Sequence, residues 1–149
     1  MSISDSFAME IVKIEVSFSF AHFSCDPKEI TRSLRVTPDE VMVKGKARPT
    51  AKRSDAKAPF NSWGVGSTAT SRDVNVHFRE LLDTLDPVAA RFSPDWGTPM
   101  FGVVFFSSGQ AAPYYEPDVL LRVGRLGAEL YQDVYHSVEH QADQPDHST

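Results

Sequence analysis

The sequence has a single cysteine, Cys25. A lone thiol excludes an internal disulfide and any multi-cysteine metal cage, and it suits a reducing cytoplasm. Long apolar runs are missing as well. The longest is FGVVFF, residues 101–106, far short of the roughly 20 residues that a membrane-spanning helix needs. The opening MSISDSFAMEI has neither a basic cluster nor an apolar core of signal-peptide length, so export by that route is not expected. Repetition at solenoid periods is absent. Positive charge is scarce: fifteen Lys and Arg against twenty Asp and Glu leave the chain at −5. A mostly negative surface repels nucleic acid, which disfavours that class of partner.

What is present describes a globular protein. Hydrophobic residues make up 41% and charged residues 23% of 149 positions, enough for one substantial core. We therefore expect a single α+β domain over residues 1–138 and a flexible polar tail over 139–149, where EHQADQPDHST offers nothing to pack. The scarce positive charge is concentrated. KGKARPTAKRSDAK, residues 44–57, holds Lys44, Lys46, Arg48, Lys52, Arg53 and Lys57 against one acid, Asp55. This basic loop is +5 and the rest of the chain is −10.

Periodicity supplies the elements. In VKIEVSFSF, Val12, Ile14, Val16, Phe18 and Phe20 alternate with polar residues, the mark of a strand with one wet face and one buried face. CDPKEITRSL starts a helix: Asp26 is an N-cap, Pro27 suits the first position, Glu29 completes a capping box, and Ile30 and Leu34 share a face. Thr37-Pro38 then interrupts. Glu40 to Lys44 reads as a second strand and FNSWGVG as a third. Val74, Phe78, Leu81, Leu82 and Leu85 form the stripe of an amphipathic helix, with Ser71 or Asp73 as its cap. Asp86-Pro87 restarts a short helical turn that Phe92 ends. MFGVVFFS, apolar on both faces, reads as an interior strand. Pro117 opens a third helix that Gly127 stops, and AELYQDVYHSV closes the domain as a strand.

The resulting order, β-α-β-β-α-β-α-β, predicts a ferredoxin-like βαββαβ core with an appended helix and strand. The sheet is expected to be mostly antiparallel, with helices on one face. The alternating first strand, CDPKEIT, VTPDEVMVKGK, SWGVGS, VNVHFRELLDTLDP and LGAELYQDVY together resemble a bacterial family catalogued as domain of unknown function 4279. The resemblance covers residues 12 to 135. It implies a small soluble α+β domain and brings no established activity, cofactor or catalytic residue. The basic loop is longer than that family leads one to expect, and the polar tail is extra.

Four stretches invite a chemical reading. HSVEH, His136 to His140, matches the H-x-x-E-H spacing of one class of zinc peptidase. A tail without apolar anchors cannot hold ligands rigid, so no metal site is expected there. His22, Cys25 and Asp26 sit together at a helix start, but the negative charge of Asp26 opposes a thiolate. His22, two residues after Phe20, is expected on the core-facing side. WGVGSTATS is rich in glycine and hydroxyls but lacks the lysine of a phosphate-binding loop. The basic loop is the remaining candidate: Lys44, Lys46, Arg48, Lys52 and Arg53 as anion or partner contacts, with Phe60 and Trp63 beyond it able to stack on bases. Tyr114 and Tyr115 suit either a binding rim or the edge of the core.

No catalytic residue and no cofactor emerges, and the balance points away from an enzyme. The leading expectation is a cytoplasmic binding domain whose partner is another protein, one concrete form being an immunity-type inhibitor of a basic toxin. The alternative is a small-anion or nucleotide site, or an enzyme, in which Lys44, Arg48 and Arg53 of the loop hold the anion. The sequence leaves homodimerisation through a sheet edge open.

Overall fold

A computed structural model describes residues 11–48, 56–109 and 113–136. Five strands form one sheet: β1 (Ile11–Ala21), β2 (Glu40–Met42), β3 (Ser62–Gly66), β4 (Met100–Ser107) and β5 (Glu129–His136). Three α-helices accompany them: α1 (Pro27–Leu34), α2 (Val74–Leu85) and α3 (Pro117–Arg125). The spatial order is β2-β3-β1-β4-β5. All neighbours pair antiparallel except β4 and β5, which run parallel with α3 as their crossover. The chain is thus α+β with a mostly antiparallel sheet, as expected. No helix among the described residues is long and apolar enough to cross a membrane.

The alternation in β1 decides which face is dry. Ile14, Val16, Phe18 and Phe20 are buried, while Lys13, Glu15 and Ser17 are exposed. The register carries that division across the sheet: Phe18 lies opposite both Val65 and Phe101, and Phe20 opposite Trp63. Ile30 and Leu34 of α1, the α2 stripe, and Val119 and Val123 of α3 join the same cluster of buried residues. All three helices therefore cover one face. At roughly 1.5–3 kcal/mol for each large apolar side chain removed from water, this cluster is the main driving force for folding. Aromatic edges fill it, with Phe18 and Phe101 at 5.1 Å and Phe20 and Trp96 at 5.3 Å between ring centroids.

The helix starts follow their cap and proline signals, although no bond from Asp26 N–H to Glu29 closes the expected capping box among the described residues. Lys28 N–H donates to Asp26 Oδ1 at 2.9 Å, Pro27 takes the first position, and Arg35 closes α1 in a left-handed conformation. Asn75 N–H donates to Asp73 Oδ1 at 3.0 Å, so Asp73 caps α2, and Ser71 accepts from Asp73 N–H. A 3₁₀ helix over Asp86–Arg91 is the predicted restart, with Phe92 beyond its end. Pro117 opens α3, and Gly127, at φ 70°, provides the left-handed turn that separates it from β5.

Three expectations change. β2 ends at Met42, because Lys44 and Gly45 already turn the chain. The loop is less irregular than its composition suggests: Ala47 bridges Lys57 antiparallel, and Gly45 and Ala58 tie its base through backbone hydrogen bonds. His22 does not continue β1 on the core side. The strand ends at Ala21, and His22 adopts φ 65° and turns outward, its N–H donating to Asn61 O at 2.9 Å.

Candidate functional site

The other face of the sheet carries no helix among the described residues. Ser17 and Ser19 of β1, Ser62, Gly64 and Gly66 of β3 and Gly102 of β4 project little or nothing from it. Two of the glycines leave little room for a side chain. A Cβ on Gly64 would sit 3.1 Å from Phe18 O, and one on Gly102 would sit 3.2 Å from Ser17 Oγ. Taller side chains stand around this low floor, including Met42, Phe60, Met100 and Tyr131, and the result is a trough of about 670 Å³. A second hollow of about 500 Å³ continues it past Ser17, Gly66 and Tyr131 toward Lys13 and Asp133.

The trough is acidic. Asp39, Glu40 and Glu129 line it, and among the described residues no Lys or Arg does. Glu15 and Asp133 extend the negative charge along the second hollow, where Lys13 is paired with Glu15 at 2.9 Å. Asp39 Oδ2 accepts from Gly66 N–H at 2.6 Å, which fixes that carboxylate at the rim. Tyr131 donates its hydroxyl to Glu129 Oε2 at 2.9 Å, and this bond raises the phenol's pKa. Backbone at the floor, carboxylates at the rim and exposed aromatic edges suit a cationic, partly apolar partner.

A second cavity, also about 670 Å³, lies between the start of α1 and the base of the basic loop. Lys28, Lys44 and Lys46 line it, together with His22. Asn61 ties its walls together: its Oδ1 accepts from Lys44 N–H at 2.7 Å, and its Nδ2 donates to Phe23 O at 2.8 Å. His22 and Phe60 stack at 4.1 Å between centroids and line both cavities, so this pair divides the acidic trough from the basic cleft. Cys25 also lines the cleft. Burial first, then the Glu29 carboxylate, push its thiol up, and Asp26 adds to the effect. A raised pKa disfavours the thiolate form that attacks as a nucleophile.

The sequence candidates separate accordingly. Lys44 and Lys46 reach the cleft, whereas Arg48 is exposed but not among its lining residues. Lys52 and Arg53 lie outside the described residues. Trp63 is corrected: its side chain is fully buried on the helix side, and Nε1–H donates to Thr31 Oγ1 at 2.9 Å, so it cannot stack on a partner. Trp63 sits two residues from Val65 on a strand whose apolar residues all face inward. Tyr114 is exposed, while Tyr115 packs on Phe78 at the core edge. His136 is the last residue of β5, opposite Ser107, and His140 lies outside the described residues. Among the described residues no group of three or more His, Cys, Asp or Glu is placed to hold a metal ion.

One pair escapes sequence reading. His77 is buried, with Nδ1 2.6 Å from Ser67 Oγ and Nε2 2.7 Å from Ser71 O. A carbonyl only accepts, so Nε2–H donates to Ser71 O, and in the neutral ring Nδ1 accepts from the Ser67 hydroxyl. Ser67 N–H is spent on Val16 O and Thr68 N–H on Glu80, so neither can stabilise an oxyanion. The pair clasps the loop after β3 onto α2.

The features together define a small α+β domain with one helix-covered sheet face and one open, acidic face. The chain belongs to the family described as Domain of unknown function (DUF4279), whose model matches residues 12–137. No curated protein and no solved structure matches it.

Proposed function

We propose that the protein is a binding domain whose open sheet face receives a cationic segment of another protein. The observation that carries this reading is the trough, floored by Ser17, Ser19, Gly64 and Gly66 and lined by Asp39, Glu40 and Glu129, with no compensating Lys or Arg among the described residues. Acidic surfaces of this kind speed association with basic partners. An immunity-type inhibitor of a basic nuclease is the concrete form this favours. The spatial order of the first four strands, β2-β3-β1-β4, all antiparallel, supports a ferredoxin-like core to which α3 and β5 are added. The family resemblance supports a bacterial source, and the lone cysteine supports a cytoplasmic setting.

Ser19→Trp tests the site, because it fills the trough from the open face without entering the core. Capture from native lysate should return a basic protein with the wild-type chain and lose it with Ser19→Trp. An empty capture, or a partner that Ser19→Trp leaves bound, contradicts the reading.

The basic cleft supports a second reading, an anion site, because Lys28, Lys44 and Lys46 converge on it. A phosphate-bearing ligand at 100 times its dissociation constant should add about 2.7 kcal/mol of stability. A thermal-shift series with inorganic phosphate and nucleotides reads this directly, and flat curves throughout would remove it.

A further inference from the structure

The two edges of the sheet are unlike. β2 is three residues long and runs into a lysine-bearing loop, a combination that discourages strand addition. β5 pairs with β4 along its whole length of eight residues and contains no Lys, Pro or Gly. Its outer edge faces no strand among the described residues. Tyr131, Val134 and Tyr135 of β5 are exposed large hydrophobics, as are Leu120 and Leu121 of α3. A long edge with exposed apolar side chains is a template for another strand.

We propose that β5 pairs antiparallel with β5 of a second copy about a two-fold axis through Gln132, joining two sheets into one. The register follows from parity and charge. A two-fold axis perpendicular to the sheet keeps each side chain on its own face, and directly opposed residues of an antiparallel pair share a face. The axis must therefore pass through a residue and not between two. Centred on Tyr131, it sets Glu129 against Asp133. Centred on Asp133, it sets that carboxylate against its own copy. Both registers oppose like charges, which destabilises a strand pair. Centred on Gln132, it sets Leu130 against Val134 on the helix side, and Tyr131 against Asp133 and Glu129 against Tyr135 on the open side. Like charges then face nowhere along Glu129 to Tyr135. Centring on Leu130 or Val134 shortens the pairing. The partner is chosen by this self-complementarity: an apolar pair on one face and two tyrosine–carboxylate pairs on the other.

The test uses the full chain. Sedimentation velocity from tens to hundreds of micromolar should show a dimer, and Val134→Lys should weaken it roughly tenfold or more, because a lysine at a strand edge opposes pairing. In a Cys25→Ser background, Gln132→Cys should form an intermolecular disulfide under mild oxidation, while Tyr131→Cys and Asp133→Cys should not. Circular dichroism separates loss of pairing from loss of fold in the lysine variant, and the cysteine series stands without it. A wild-type chain that stays monomeric throughout overturns the proposal. So does a dimer indifferent to Val134→Lys, or cross-linking that favours position 131 or 133.

Discussion

His77 is held at both ring nitrogens inside the protein, by the Ser67 hydroxyl and the Ser71 carbonyl. Removing the hydroxyl leaves a buried acceptor without its donor, which costs about 1–3 kcal/mol. Ser67→Ala should therefore lower the unfolding free energy by that amount, read as a lower denaturant midpoint with the slope of the transition unchanged. Tyr115 makes a prediction about pH. Burial holds its phenol up at about 12 from an ordinary 10.0, and its hydroxyl donates to Gln132 Oε1 at 2.5 Å. Between about pH 10 and 12 the unfolded chain sheds this proton while the folded chain keeps it, so stability falls as pH rises through that window. Tyr115→Phe should flatten the fall in alkaline denaturation curves. The roles of His77 and of the Tyr115 hydroxyl were not legible in the sequence, because the fold of the loop over residues 67–73 and the placing of β5 beside Tyr115 bring their partners to them. Trp63 shows the opposite failure. Its place beside a basic loop suggests a stacking surface, but in the strand it alternates with Gly64 and faces the core with Val65.

At the scale of elements, the caps were the most legible features. Asp26-Pro27 and Asp73 end up where the side-chain oxygen accepts from the N–H of the second residue of each helix, since that placement needs only local geometry. Asp73→Ala should cost about 1 kcal/mol, measured by chemical denaturation, with α2 as the destabilised segment in hydrogen exchange. The seating of α3 is a different matter. Arg79 of α2 reaches Glu116 and Asp118, and Arg122 of α3 reaches Asp83 and Asp86. These pairs cross between helices more than thirty residues apart in sequence, and no local pattern announces them. Strand ends were also hard to place. β1 stops at Ala21 because His22 turns left-handed onto Asn61, a contact across the fold that alternation alone cannot reveal.

Across the whole molecule, the alternation in β1 and the apolar stripe of α2 were enough to foresee a sheet covered on one side. The open face was less visible. The basic loop drew attention because its charge is continuous in sequence, whereas the trough gathers Asp39, Glu40 and Glu129 from both outer strands and the turn before β2. Serines and glycines that look like weak strand formers become a floor only when three strands lie side by side. The open face and the basic cleft can be distinguished by one titration. Backbone amide shifts would be followed by NMR at low salt as a short oligoarginine peptide is added to the full chain. The account predicts saturable shifts at Ser17, Ser19, Gly64, Gly66 and Gly102, and their loss in Glu40→Lys with Glu129→Lys. Shifts confined to other surfaces, or none at all, would contradict it.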